Sequence, residues 1–196
     1  MAAKDEENGT SEGLLGQQPS GFTLRVLVIR HGIAEERKAG TGPGKPDAQR
    51  VLTRSGRKRM RRNAKGLARL VPHLDALASS PLVRAIETGQ IVADRFACPP
   101  HPVRVGGLAP GKPVGLVLDW LKEQAQRRPG AVVAIVGHEP HLGEFISWAL
   151  TGLRESFMTL KKGSACMLEF RQEIKPARAK LHWVLKPSQL REIARK

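Results

Sequence analysis

At 196 residues the chain is long enough for one domain with a sizeable core, and one domain is expected. Its 33 Lys and Arg against 18 Asp and Glu give a formal charge of +15, a surface that attracts phosphorylated molecules, acidic proteins, nucleic acid or anionic lipid without choosing among them. No run approaches the roughly 18 apolar residues of a membrane span, the start lacks the apolar core of a secretory signal, and the distant Cys98 and Cys166 read as reduced thiols. A cytoplasmic protein without membrane contact is expected.

Residues 1–21 are polar and rich in Gly, Glu, Gln and Ser, so a disordered tail is expected ahead of a folded domain over 22–196. Leu24 to Arg30 reads as a buried strand. It ends in Arg30-His31-Gly32, a basic pair followed by a residue that permits a sharp turn. Ile33 to Arg50 is a Gly- and Pro-rich loop, a candidate rim or lid. Thr53 is a plausible N-cap for a helix with Met60, Ala64, Leu67 and Val71 on its apolar face. The other face, over 54–70, is densely basic with no acidic residue.

Leu74 to Ser79 is the next expected strand. Ser80 as cap and Pro81 at the first position should open a helix with Leu82, Ala85, Ile86, Gly89, Val92 and Ala93 facing inward. Val103 to Val105 is a short strand and Gly106 to Lys112 a loop. Pro113 opens a helix with Val114, Val117, Leu118, Leu121 and Ala125 on one face. Ala131 to Val136 is a third buried strand that ends in Gly137-His138-Glu139-Pro140, where another helix begins, and Ser164 to Phe170 and Lys180 to Leu185 form a closing pair of strands. This alternation predicts an α/β fold, a three-layer αβα sandwich around a mostly parallel central sheet.

In a parallel sheet the ends of the first, second and third buried strands share one edge, where open α/β folds bind ligands. Arg30, His31, Arg84 and His138 then converge in one cleft. No carboxylate sits among these motif positions, so the cleft suits a dianion and not an ordinary metal site.

These residues carry a resemblance. Arg30-His31-Gly32, Leu52-Thr53 before a helix bearing Gly56, Ser79-Ser80-Pro81-Leu82-Val83-Arg84-Ala85 with Thr88, and Val136-Gly137-His138, in that order, resemble the histidine phosphatase superfamily. Size, the Gly-His-x-Pro-x-Leu stretch and Trp183 to Pro187 look most like the SixA-type phosphohistidine phosphatases. The resemblance implies a phosphoglycerate mutase-like fold and an enzyme that needs neither metal nor cofactor. His31 would be the nucleophile that forms a phosphohistidine intermediate, and Arg30, Arg84 and His138 would bind the phosphoryl group. Planar, permanently charged guanidinium suits that task.

Many superfamily members carry a glutamate midway along the chain that protonates the leaving oxygen. The matching stretch here, Gly106 to Pro110, has no acid, which favours a phosphoramidate substrate, since imidazole leaves with little help whereas an alkoxide benefits from a general acid. Glu139 is the candidate acid that would reopen the phosphate-ester reading. The leading expectation is a phosphatase acting on phosphohistidine in a phosphoprotein, as in phosphorelays. The rivals are a small phosphomonoesterase of the same superfamily and, from another class, a basic nucleic-acid- or phosphoprotein-binding module. The absence of Tyr and the few aromatics speak against nucleic acid. The basic helix face over 54–70 is either solvated or a docking surface for an acidic partner. Thr88 reads as core or as a hydrogen bond within its helix, with no role in the site.

Overall fold

A computed structural model describes residues 21–36 and 46–195. The expected tail over 1–21 lies outside the described residues except for Gly21, as does 37–45 within the long loop. Six strands and five α-helices follow in the order β1 Thr23–Arg30, α1 Arg54–Leu70, β2 Ala76–Ser79, α2 Val83–Ala93, β3 Pro102–Arg104, α3 Gly115–Arg127, β4 Val132–Gly137, α4 His141–Thr151, β5 Ala165–Arg171, β6 Ala179–Leu185 and α5 Pro187–Ile193. They form one sheet of order β3-β2-β4-β1-β5-β6. Three pairings are parallel, β2 with β3, β2 with β4 and β1 with β4. The two involving β5 are antiparallel.

Alternation along β1 divides the core in two. Leu24, Val26 and Val28 point to one face, against Val117, Trp120 and Leu121 of α3 and Leu142, Phe145 and Ile146 of α4. Leu27 and Ile29 point to the other, against Met60, Ala64 and Leu67 of α1, Ala85 and Val92 of α2, and Leu190 of α5. Every residue of β4 is buried, as a central strand covered on both faces must be. The three layers expected from the alternation are present.

Thr53 caps α1 as expected, its Oγ1 accepting from the Gly56 N–H at 2.9 Å. Gly66 lets α5 lie against α1, since a Cβ there would sit 2.0 Å from the Leu190 carbonyl oxygen. The expectation for the second helix needs correcting. It starts at Val83, with Leu82 at the N-cap position and no side-chain cap. Ser80 therefore does not cap it and is engaged elsewhere. The loop over 106–112 contains a short 3-10 turn at Gly106–Leu108. Helix α5 went unread because its seven residues carry one buried anchor, Leu190, too few for a helical period to emerge. Among the described residues no helix is long and apolar enough to cross a membrane.

Candidate active site

Register places the strand ends level. Arg30 of β1 pairs with Gly137 of β4, and Ser79 of β2 pairs with Val136. Beyond the pairing, His31 N–H donates to the Gly137 carbonyl at 3.1 Å, and Ser80 N–H to that of Val136 at 2.9 Å. Gly163, at φ +80°, donates its N–H to the carbonyls of both Arg30 and His31 at 3.1 and 3.0 Å. The turn that carries His31 is thus held by backbone bonds from both sides. Gly32 allows a close approach, because a Cβ there would meet Leu52 Cδ2 at 3.2 Å.

His31 is 6% exposed. Its Nδ1 lies 2.7 Å from the Gly32 carbonyl oxygen. A carbonyl only accepts, so Nδ1 carries the hydrogen and the neutral ring keeps a bare lone pair on Nε2. The His138 ring stands beside it, with centroids 4.8 Å apart and planes tilted by 52°. His138 is also buried, with Nε2 2.8 Å from Ser80 Oγ and with no protein partner for Nδ1 among the described residues. Arg84, buried in the first turn of α2, donates to the Asp47 carbonyl at 2.8 Å and to Asp47 Oδ2 at 3.0 Å. Arg30 donates Nη1 to the Leu160 carbonyl at 2.5 Å.

Burial sets the charge state. It pushes His31 down to about 4, with Arg84, Arg30 and Lys162 adding to the shift and the Gly32 carbonyl opposing it. His138 is pushed down to about 3, first by burial and then by His31 and Arg84. Both imidazoles are neutral at pH 7, next to two guanidiniums. Burial also lowers the Arg30 pKa, opposed by Glu139. The result is a cationic cleft with one unprotonated ring nitrogen and one orphan ring nitrogen, suited to binding a phosphoryl dianion and attacking it.

The structure brings together Arg30, His31, Arg84 and His138, the four residues that sequence reasoning grouped. It treats Glu139 differently. Its Oε1 accepts from the Leu160 N–H at 2.7 Å and its Oε2 from the Gly143 N–H at 3.2 Å. Burial raises its pKa, while those two bonds and Arg30 oppose the shift. Glu139 thus ties the loop before Lys161 to the start of α4, and Leu160 joins it to Arg30.

Three residues were missed. Ser80 partners His138, as above. Thr88, read as having no role in the site, accepts from the Gly32 N–H at 3.0 Å and donates to the Arg84 carbonyl at 2.6 Å. Asp47 brings in a carboxylate where the motifs offered none, and Arg50 holds it at 2.7 Å. Thr88 and Ser80 fall inside the recognised motif, so position was the available signal. Asp47 opens a three-residue 3-10 turn, Asp47–Gln49, too short for spacing to carry a signal. Among the described residues no three His, Cys, Asp or Glu side chains cluster so as to hold a metal ion.

The family model of the histidine phosphatase superfamily (branch 1) matches residues 26–104. An uncharacterised protein of Picosynechococcus sp. is 35% identical over 139 residues, which span 71% of this chain and 81% of that protein. The structure of the protein histidine phosphatase SixA complexed with tungstate is similar at a TM-score of 0.70 and 23% identity, over 85% of this chain and 99% of that one. Phosphoglycerate mutase from Bacillus anthracis str. Sterne is similar at 0.67 and 14% identity, over 90% and 99%. At such identities these two likenesses concern the fold.

Proposed function

The chain belongs to the histidine phosphatase superfamily, and from that premise we propose that it hydrolyses phosphohistidine carried on a protein, through a phosphoryl group held briefly on His31. In the first step the Nε2 lone pair of His31 attacks phosphorus. A new N–P bond forms as the substrate's N–P bond breaks, and the leaving imidazole keeps the electron pair and takes a proton from solvent. In the second step water attacks the phosphoryl group on His31. The P–N bond breaks, inorganic phosphate leaves, and neutral His31 is restored. Arg30 and Arg84 hold phosphoryl oxygens while charge shifts among them, and Nδ1 of His138 donates a further hydrogen bond.

One observation carries the choice of phosphoramidate over ester. The segment where relatives of this superfamily supply an acid borders the site here, and it presents Gly106, Gly107, Leu108 and Ala109. The Leu108 carbonyl oxygen lies 3.5 Å from where a Cβ on Gly137 would stand, immediately before His138. The engagement of both Glu139 oxygens with backbone N–H groups supports reading it as a tie between loops. An imidazole can leave without a donor there, whereas an alkoxide is disadvantaged. The similar fold of a protein histidine phosphatase agrees with this reading.

A second reading has its own observation. Asp47 brings a carboxylate to Arg84, and in this reading it takes a proton as the phosphomonoester displaces it from the guanidinium and then passes that proton to the leaving oxygen. The test compares kcat/KM for phosphohistidine, p-nitrophenyl phosphate and an alkyl phosphate. The expected order places phosphohistidine first and the alkyl ester last. Faster turnover of the alkyl ester, lost selectively in Asp47→Asn, would replace the first reading with the second.

A further inference from the structure

A groove lies beside the site among the described residues, and apart from Arg30 its lining has no part in the chemistry above. It encloses about 600 Å³ between the exit of β1, α1, the turn before β5 and the start of α5. Its cations are Arg30, Arg59, Lys161, Lys162, Lys186 and Arg191, and among the described residues no Asp or Glu lines it. None of these residues makes an ion pair with another described residue. Arg191 is held by Asn63, a buried residue whose Oδ1 accepts from it at 3.3 Å while Nδ2 donates to the Gly163 carbonyl. The Arg191 pKa is lowered by burial and by the neighbouring Arg59, Arg62 and Arg195. Like charges gathered round one groove repel each other, and an anionic occupant would relieve that repulsion.

We propose that this groove docks an acidic, Asp- or Glu-rich segment of the substrate protein next to its phosphohistidine. The inference rests on the phosphohistidine reading and extends it to a partner surface. The arrangement fits a chain segment better than one compact anion. The charges sit on long side chains from four separate stretches, strung from Arg30 to α5, and Met60, Ile33 and Pro187 supply apolar contact between them. The docking surface is also narrower than the whole basic face of α1. Arg57 is committed to Glu87, and Arg69 donates to the Ile193 carbonyl. From that face it is Arg59 that lines the groove.

The test uses the full chain and two exposed residues outside the chemistry, in the double variant Arg59→Glu/Lys186→Glu. An unphosphorylated, fluorescently labelled Asp/Glu-rich peptide is titrated by anisotropy at low and moderate salt. The wild type should bind it, more weakly as salt rises, and the double variant should bind about tenfold more weakly or worse. Hydrolysis of free phosphohistidine should stay within about twofold, because neither residue touches the reacting groups. Equal peptide affinity in the double variant would overturn the proposal. So would a matching loss of free-phosphohistidine hydrolysis, or tight binding of tripolyphosphate where the peptide fails to bind. The peptide arm needs no turnover. If the wild type binds the peptide but leaves free phosphohistidine intact, the phosphohistidine reading fails while the acidic docking site stands.

Discussion

Ser80 Oγ lies 2.8 Å from Nε2 of His138, joining two buried groups at the ends of neighbouring strands. Ser80 Oγ also accepts from the Leu82 N–H at 3.3 Å, so its own hydrogen is available to point at the imidazole. When Ser80 donates to Nε2, the hydrogen of neutral His138 resides on Nδ1, the nitrogen that has no protein partner. Ser80 thereby sets the tautomer in which His138 can donate to an anion. Ser80→Ala should lower kcat about tenfold, the scale of one misplaced charge-assisted hydrogen bond, with a smaller change in KM. Nitrogen NMR of the His138 ring separates this role from a structural one. A single tautomer in the wild type should become a mixture in the variant, and an unchanged spectrum would sink the assignment.

Thr88 ties α2 to the turn after β1, because one hydroxyl serves both the Gly32 N–H and the Arg84 carbonyl. Thr88→Val keeps the shape and removes both bonds. It leaves the buried Gly32 N–H without its acceptor, which should cost about 1–3 kcal/mol of stability, measurable by urea unfolding. Activity should fall as well, because Gly32 carries the carbonyl that orients His31. Thr88→Ser should recover most of the lost kcat. Full activity in the valine variant would show that the turn holds without Thr88.

Much of the site was legible before any coordinates because strand ends in a parallel sheet share an edge. Arg30, His31 and His138 each sit at or one residue beyond the last residue of a Val- or Ile-rich strand, and Arg84 lies a few residues past another. The pattern of buried residues therefore carried the geometry. Other features were illegible for physical reasons. Ser80 before a proline has the composition of a helix cap, yet the helix starts later and the hydroxyl turns to His138, a contact between residues 58 positions apart. Asp47 reaches Arg84 from a three-residue 3-10 turn, too short for a period to be read. The α1–α5 groove depends on Gly66 admitting the α5 backbone, which composition does not reveal.

The buried histidines predict the response to pH. In the proposed mechanism His31 must be neutral to attack, and in the folded protein burial has pushed it down to about 4. For the free enzyme, kcat/KM should stay level from pH 8 to about 5 and fall as the pH approaches 4, not near the 6.5 of an exposed histidine. Stability moves in the same direction. Between about 6.5 and 4 the unfolded chain binds a proton at this site and the folded chain does not, so stability is fully present above 6.5 and is lost as pH falls toward 4. His138, pushed down to about 3, acts with the same sign over a wider window. Thermal unfolding from pH 7 to 4 should show a falling Tm, and His31→Asn should flatten that slope. A slope unchanged by the substitution would show that His31 is not the group responsible.

Asp47 engages Arg84 from both its backbone and its side chain. Its backbone carbonyl and Oδ2 take both terminal nitrogens of the guanidinium, and Arg50 anchors the carboxylate from the other side while donating to the Glu35 carbonyl at 2.7 Å. A phosphoryl oxygen that binds Arg84 draws on a guanidinium whose charge Oδ2 already partly neutralises, and a carboxylate beside a dianion is also repelled by it. Asp47→Asn removes that charge and keeps the shape of the contact. Inhibition by tungstate, an anion seen bound to a similar fold, should tighten about three- to tenfold, and KM for a phosphorylated substrate should fall in step. Arg84→Ala in the Asp47→Asn background should erase the gain, because the effect passes through the guanidinium. Weaker tungstate inhibition in the single variant would mean that Asp47 positions Arg84 for the anion and does not compete for it.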